Sequence, residues 1–212
     1  MSFIDVKEMF VSIQGESSFA GMGCFFVRLS GCNLRCGYCD TVGALAASGN
    51  LVAVADVVRD VGRSVVPLVE ITGGEPLLQA GFRELALGLV SLPGKQLLVE
   101  TNGSQDIGVI PDDAVAVVDV KCPGSGEGDS FDLANLERFR PHDEVKFVLS
   151  GREDYEFARD FLDKQGLISR VRYVHFSPVA GVLDAGELGR WIVEDGLRVR
   201  LQVQLHRVVG LS

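Results

Sequence analysis

A mainly parallel α/β sheet, curled into an open or partial barrel, is the fold class this sequence predicts, on three observations. Apolar, β-branched runs alternate along the chain with stretches of helical periodicity, as in successive βα units. The chain has 212 residues, short of the about 250 that a complete eight-fold β/α barrel uses. The residues able to do chemistry fall where predicted strands end, and parallel sheets gather their ligands outside the carboxyl ends of strands.

Residues 3–13 alternate loosely and read as a strand running into Gln14-Gly15-Glu16, after which glycine and serine mark a loop through Gly23. Cys24–Leu29 is the second strand. Arg28 inside it is either a charge on the solvated face of a half-buried strand or a buried cation that needs an anionic partner, for which its planar fork suits a carboxylate. A helix is expected over Ala53–Val61, then a buried strand over Pro67–Thr72. Gly73 and Gly74 allow close backbone approach at its carboxyl end, Pro76 suits an early helix position, and Leu77–Val90 is apolar at helical spacing. Gln96–Thr101 is a strand that turns at Asn102-Gly103. Ala114–Val120 is another, ending at Lys121 and followed by a flexible Gly- and Ser-rich loop over Cys122–Ser130.

Asp143–Ser150 is a strand containing Lys146, which reads as a buried pair partner or as a surface charge. Gly151–Gln165 is a helix with Phe157, Phe161 and Leu162 on one side and Glu153, Asp154, Glu156, Asp160 and Asp163 as its solvated face. Val171–Phe176 is a strand with Ser177-Pro178-Val179-Ala180-Gly181 as its exit loop. A helix over Asp184–Glu194 takes its cap from Asp184, and Arg198–Leu205 alternates and closes the sheet. There is no internal repeat and no linker long enough to divide the chain, so residues 1–212 read as a single domain.

Apolar residues make up 47% and charged residues 23% of the chain, the balance of a folded domain with a proper core. The net charge of −9 lacks the basic footprint of a nucleic-acid binder. The stretch Met1–Glu8 has no basic-then-apolar signal pattern, and no apolar run approaches the roughly 18–20 residues of a membrane span. A cytoplasmic protein with reduced thiols, and with neither a nucleic acid nor a membrane as partner, is the expectation.

Three of the five cysteines, Cys32, Cys36 and Cys39, fall within the stretch Leu29–Thr41. Thiolates this close on a short loop can converge on one metal centre. A structural zinc takes four protein ligands and a fully ligated iron–sulfur cube takes four cysteines, so three leave one metal position open to a small molecule. The alternative is half of a zinc site, completed by Cys24, Cys122 or one of the histidines. Cys24 itself reads as a small core residue.

The C-x3-C-x2-C spacing, with Tyr38 just before the last cysteine and Gly73-Gly74-Glu75-Pro76 after a strand, resembles the radical S-adenosylmethionine enzymes. Ser12-Ile13-Gln14-Gly15-Glu16, Phe26-Val27-Arg28-Leu29 and Cys39-Asp40-Thr41 narrow the resemblance to the 7-carboxy-7-deazaguanine synthase family. It is densest over residues 5–76 and traceable to the C-terminus. The resemblance implies an open β/α barrel of the radical S-adenosylmethionine type. It also implies a lyase that converts 6-carboxy-5,6,7,8-tetrahydropterin to 7-carboxy-7-deazaguanine with loss of ammonia, on the route to queuosine and other 7-deazapurines.

On that resemblance Cys32, Cys36 and Cys39 hold a 4Fe–4S cluster, and Thr41 holds Mg2+, a hard ion that takes few protein ligands. S-adenosylmethionine meets Tyr38, Cys39, Asp40, Gly73, Gly74, Glu75, Asn102, Asp119, Lys121, Ser177, Pro178 and Val179, and the pterin meets Ile13, Gln14, Gly15, Glu16, Arg28 and Thr72. From the residues alone, Glu75 could merely cap the following helix and Asn102 is a turn residue. The family's Ser-Pro-Lys is replaced here by Asp119-Val120-Lys121. His206 comes near the C-terminus, as a histidine does in the family. The resemblance further implies an electron donor such as a flavodoxin or ferredoxin, and a homodimer. Two other classes share features of the loop: an activase that installs a glycyl radical in a partner protein, and an iron–sulfur electron carrier. The first lacks the Gln14-Gly15-Glu16 and Asp40-Thr41 elements, and the second needs four cysteines and no Gly-Gly-Glu-Pro.

Overall fold

The computed structural model describes residues 2–211, so Met1 and Ser212, the ends of the expected 1–212 domain, lie outside the described residues. Among the described residues nine strands form one sheet: β1 (Phe3–Ile13), β2 (Gly23–Leu29), β3 (Asn50–Ala53), β4 (Leu68–Gly73), β5 (Gln96–Thr101), β6 (Val115–Asp119), β7 (Glu144–Leu149), β8 (Tyr173–Pro178) and β9 (Arg200–Leu201). Their order is β3-β1-β2-β4-β5-β6-β7-β8-β9, with β3 and β9 as open edges. β1 runs antiparallel to β2 and β3, and every other pairing is parallel. Helices α1 (Val54–Gly62), α2 (Phe82–Val90), α3 (Arg152–Gln165) and α4 (Ala185–Glu194) make most of the parallel crossovers, the β5–β6 and β6–β7 crossovers hold only 3-10 turns, and a short α5 (Leu205–Val208) follows β9. The unclosed, mainly parallel sheet expected from the strand–helix alternation and the chain length is the one that forms.

Side-chain alternation along the strands divides the interior in two. Val69 and Ile71 of β4 face outward and pack with Val57 and Val61 of α1 and Leu85 and Leu89 of α2 in the main core. Fully burying each such side chain stabilises the fold by about 1.5–3 kcal/mol. Leu68, facing the other way, joins Cys24, Phe26, Leu98 and Val115 in a small inner cluster. Above that cluster the concave face turns polar, with Glu70 on β4, Glu100 on β5, Asp119 on β6 and Lys146 on β7. Parallel register sets Asp119 beside Lys146 and Lys146 beside His175.

Several elements differ from expectation. β3 has no pattern of its own to announce it; it forms because Phe3–Val6 of β1 offers a free edge to Asn50–Ala53. The expected Leu77–Val90 helix is two pieces, a 3-10 turn over Pro76–Leu78 and then α2. Between them Gln79 is extended, and its amide takes Asp5 N (2.7 Å), Asp5 O (2.9 Å) and Ser30 O (3.0 Å), backbone partners an uninterrupted helix would have left unpaired.

The expected strand Arg198–Leu205 shrinks to β9, because Gln202 turns inward to take the Ser17 N–H at 2.6 Å. Asp154 does not belong to the solvated face of α3: it is buried and accepts from Gly124 N (2.7 Å) and Ser150 N (2.8 Å). The Cys122–Ser130 loop is correspondingly tethered, with Cys122 and Ser125 buried. Among the described residues no helix is long and apolar enough to cross a membrane.

Candidate active site

The carboxyl ends of the strands open into one cleft. It is lined by Ile13, Gln14, Gly15 and Glu16 after β1, by Arg28 of β2, and by Cys32, Cys36, Tyr38, Cys39, Asp40 and Thr41 of the cysteine loop. Thr72, Gly73 and Gly74 at the end of β4, Asn102 after β5, and Asp119 and Lys121 of the β6 end complete the wall. Glu75, Ser177, Pro178 and Val179 are not on it. Glu75 is fully buried, and its carboxylate takes Leu77 N (3.0 Å), Thr101 Oγ1 (2.8 Å) and Asn102 N (2.7 Å). It thus caps the turn after β4 and fixes the Thr101-Asn102 exit of β5. Ser177 accepts from Gln202 Nε2 at 3.1 Å, and Val179 N donates to Leu149 O at 2.8 Å.

The cysteine loop is bound by its backbone on both sides. Gly31 N and Cys32 N donate to Ala44 O (2.8 Å) and Leu45 O (3.1 Å), and Gly37 N donates to Ser125 O (2.9 Å). Cys32, Cys36 and Cys39 are free thiols, each partly exposed to the cleft, and Asn102 Nδ2 lies 3.9 Å from Cys32 Sγ. Cys24 and Cys122 are buried away from them, and burial pushes both thiols up. Among the described residues no three of His, Cys, Asp and Glu converge closely enough to hold a single metal ion. Of the candidate completing ligands of the zinc alternative, Cys24 and Cys122 are buried off the cleft wall that the three loop thiols line. Gly73 supplies the close approach beside them. Its φ is 145°, and a Cβ there would stand 2.1 Å from Leu29 O.

Beneath the thiols lies a polar floor. Lys146 Nζ donates to Glu16 Oε2 (2.7 Å) and to Glu100, and stands 3.8 Å from Asp119. Burial alone would lower the Lys146 ammonium, but Glu100, Glu16 and Asp119 hold it well above its ordinary range. Burial would raise Glu16, but Lys146 and Gln204 keep it below the usual carboxylate value. Glu70, bonded to Gln14 Nε2, is pushed well up by burial and by the neighbouring Glu100 charge. Gln14 Oε1 in turn accepts from Glu16 N at 3.0 Å. Lys121 pairs with Asp119 at 2.8 Å.

Lys146 is therefore a buried pair partner. Glu70 and Glu100, which the sequence reading did not single out, belong to the same floor. The signal for them was a charge in the middle of an apolar parallel strand, which is buried on both faces and holds a carboxylate only where its partners are internal.

Arg28 meets both of its expectations in part. It donates to the half-exposed Glu8 at 2.8 Å and lies over the Phe10 ring while still lining the cleft. Thr41 Oγ1 donates to Asp40 Oδ1 at 3.1 Å. Asp40 also takes Gln204 Nε2 and Arg207 Nη2, each at 3.1 Å. Gln204 and His206 therefore form the last wall of the cleft. Leu205 N donates to Gly15 O at 2.9 Å, and the His206 ring packs so closely that a Cβ on Gly15 would stand 1.8 Å from Nδ1.

Known proteins resemble this chain over nearly its whole length. A family model described as the Radical SAM superfamily matches residues 26–117. The 7-carboxy-7-deazaguanine synthase of Koribacter versatilis is 44% identical, with 97% of this chain and 96% of that protein aligned. That of Chlorobaculum tepidum is 37% identical, with 97% and 94% aligned. Among solved structures, QueE from Escherichia coli superposes with a TM-score of 0.79 over 96% of this chain and 95% of that one, at 24% identity. Streptococcus suis SuiB bound to S-adenosylmethionine gives a TM-score of 0.56 at 15% identity, over 81% and 44%. At these identities the two structures attest the fold.

Proposed function

The chain belongs to the radical S-adenosylmethionine superfamily and, within it, to the 7-carboxy-7-deazaguanine synthases, and from that premise we propose how its cleft divides the work. It is an enzyme of 7-deazapurine biosynthesis, and its superfamily implies a 4Fe–4S cluster and S-adenosylmethionine. The substrate proposed is 6-carboxy-5,6,7,8-tetrahydropterin, whose ring contracts with loss of ammonia. The observation that carries the reading is that three free thiols and a floor of fixed donors and acceptors open on the same cleft.

Cys32, Cys36 and Cys39 would ligate the cluster, as thiolates. Bound there, the cluster and S-adenosylmethionine supply one-electron chemistry that the side chains of this protein lack. Gly73 and Gly74 leave room for the methionine end. Tyr38, Cys39, Asp40, Asn102, Asp119 and Lys121 face the remainder, with Ser177, Pro178 and Val179 on the strand end beyond them. Glu75 supports that end from behind, by holding Asn102. Thr41, beside the low-lying Asp40 carboxylate, is the proposed Mg2+ ligand. Burial would raise Asp40, but the Gln204 hydrogen bond and the Lys146, Thr41 and Arg207 partners hold it down.

At the other end, Ile13, Gln14, Gly15, Glu16 and Thr72 face the flat donor–acceptor edge of the pterin, and Arg28 its carboxylate. Each unpaired polar group on that edge would cost about 1–3 kcal/mol. Glu16 arrives ionised and aimed, because Lys146 and Gln204 hold its two oxygens. The proposal extends to a single domain, a reducing cytoplasm, a flavodoxin- or ferredoxin-type electron donor and a homodimer, the last open to sedimentation analysis.

Anaerobic turnover of the pterin with S-adenosylmethionine and reductant, read by mass spectrometry, tests the reading. Formation of 7-carboxy-7-deazaguanine is expected. A protein that carries its cluster yet gives neither that product nor substrate-dependent 5′-deoxyadenosine would overturn it.

A further inference from the structure

We infer that Glu127 tunes the cluster: by taking the Arg35 peptide N–H and setting a carboxylate beside the cysteine loop, it keeps the bound cluster strongly reducing. The inference rests on the assignment of the cluster to Cys32, Cys36 and Cys39.

The potential of an iron–sulfur cluster follows its local charge, the hydrogen bonds to its sulfurs and its exposure. A peptide N–H aimed at a sulfur stabilises the reduced, more negative state and raises the potential, whereas a nearby carboxylate lowers it. In this loop two peptide donors between and beside the ligating cysteines are turned away to the segment that follows β6. Arg35 N donates to Glu127 Oε1 at 2.6 Å, and Gly37 N donates to Ser125 O at 2.9 Å. That segment is rigid enough to hold them. Gly124 N donates to the buried Asp154 (2.7 Å), Ser125 Oγ to Cys122 O (2.6 Å) and Glu127 N to Ser125 Oγ (3.0 Å).

Other charges beside the loop have partners of their own, as Asp40 takes Arg207 Nη2 at 3.1 Å. Asp119 and Lys121 pair with each other at 2.8 Å. The Arg35 guanidinium turns back onto Cys32 O (2.8 Å) and Leu34 O (2.7 Å), while Glu127 takes the peptide N–H of the same residue. Glu127 Oε1, 2.6 Å from the peptide nitrogen of the residue before Cys36, sets a negative charge beside that ligand. Charge and hydrogen bonding thus act with the same sign. Removing Glu127 deletes a negative charge and frees a loop N–H for the sulfurs.

The test is the midpoint potential of the anaerobically reconstituted protein, followed by electron paramagnetic resonance without S-adenosylmethionine or substrate, with iron and sulfide counted in parallel. Glu127→Gln keeps an acceptor for Arg35 but loses the charge, so its midpoint should shift positive. Glu127→Ala loses both and should shift further. Glu127→Asp should stay near the parent, as should Glu137→Gln in the surface ion pair with Arg170. An unmoved midpoint in Glu127→Ala with a full cluster would overturn the inference. So would loss of iron in Glu127→Gln, which would make the residue a loop support. A parent protein that binds no iron through the three cysteines would sink the cluster assignment itself, and this inference with it.

Discussion

Single residues set the electrostatics of the cleft, and two of them give direct tests. Lys146 is the ammonium that Glu16, Glu100 and Asp119 share on the floor, with Lys121 paired to Asp119 beside it. Breaking a buried ion pair from one side costs about 3–5 kcal/mol. The Glu100 side chain keeps 29% of its exposure, so Lys146→Met should lie near the lower end of that range in urea denaturation. It should also raise the pterin KM at least tenfold while leaving bound iron unchanged; equal KM values would remove Lys146 from the substrate end.

Glu70 carries the opposite sign. Its folded carboxyl holds its proton above the ordinary value of 4.5. The stability linked to it is therefore full below that pH and is lost as pH rises toward the folded value. Glu70→Gln keeps an acceptor for Gln14 and removes the titration. Its melting temperature should exceed that of the parent at pH 8, and the advantage should vanish near pH 4. Parallel pH curves would show that Glu70 folds as a carboxylate. Among the cysteines, Cys32→Ala, Cys36→Ala and Cys39→Ala should each lose the reconstituted cluster, while Cys24→Ala and Cys122→Ala should keep it. Iron that survives in all three loop variants would end the ligand assignment.

At the scale of elements, the cleft depends on close contacts between segments distant in sequence. The β4 exit lies against the β2 exit, where Gly74 N donates to Leu29 O at 3.1 Å and Glu75 N to Gly31 O at 2.8 Å. Gly73→Ala would impose a left-handed backbone on alanine, a strain of about 1–3 kcal/mol, and press its Cβ into the Leu29 backbone. Marked destabilisation in urea is expected, together with weaker S-adenosylmethionine binding. Gly15→Ala meets only the end of a side chain, the His206 ring. It should therefore fold, but unseat α5, so that proteases cut beyond Val203 sooner and the pterin KM rises with iron content unchanged. A C-terminus as resistant as in the parent would show that α5 does not depend on this contact.

At the scale of the whole molecule, side-chain bonds bridge an open sheet. The loop after β1 crosses the concave face. Ser18 N donates to Glu144 at the amino end of β7 (2.9 Å), Ser17 N to Gln202 beyond β9 (2.6 Å), and Gln14 Nε2 to Glu70 of β4. Glu144 is itself held by His175 Nε2 at 2.8 Å. Strands from both ends of the sheet thus share one loop. The chain should unfold in one cooperative calorimetric transition, with an enthalpy of about 0.7 kcal/mol per residue near 60 °C. Two separable transitions would divide the proposed single domain.

The sequence alone determined the sheet class and the positions of β1, β2 and β4–β8 to within a few residues, because buried strands must be apolar and their exits are punctuated by Gly, Asn and Pro. It determined the thiol loop as well, because ligand spacing is local. What only the tertiary structure decided was every feature whose partner lies far along the chain. Asn50–Ala53 became a strand because β1 left an edge free, and Gln79 broke a helix to serve Asp5 and Ser30. Glu75 went to a buried cap, where Thr101 and Asn102 take its oxygens. Lys146, Glu70 and Glu100 met on one floor because parallel register aligned strands separated by long crossovers. A lone charge in an apolar strand shows that a partner exists. Which residue it is depends on the register and curvature of the folded sheet.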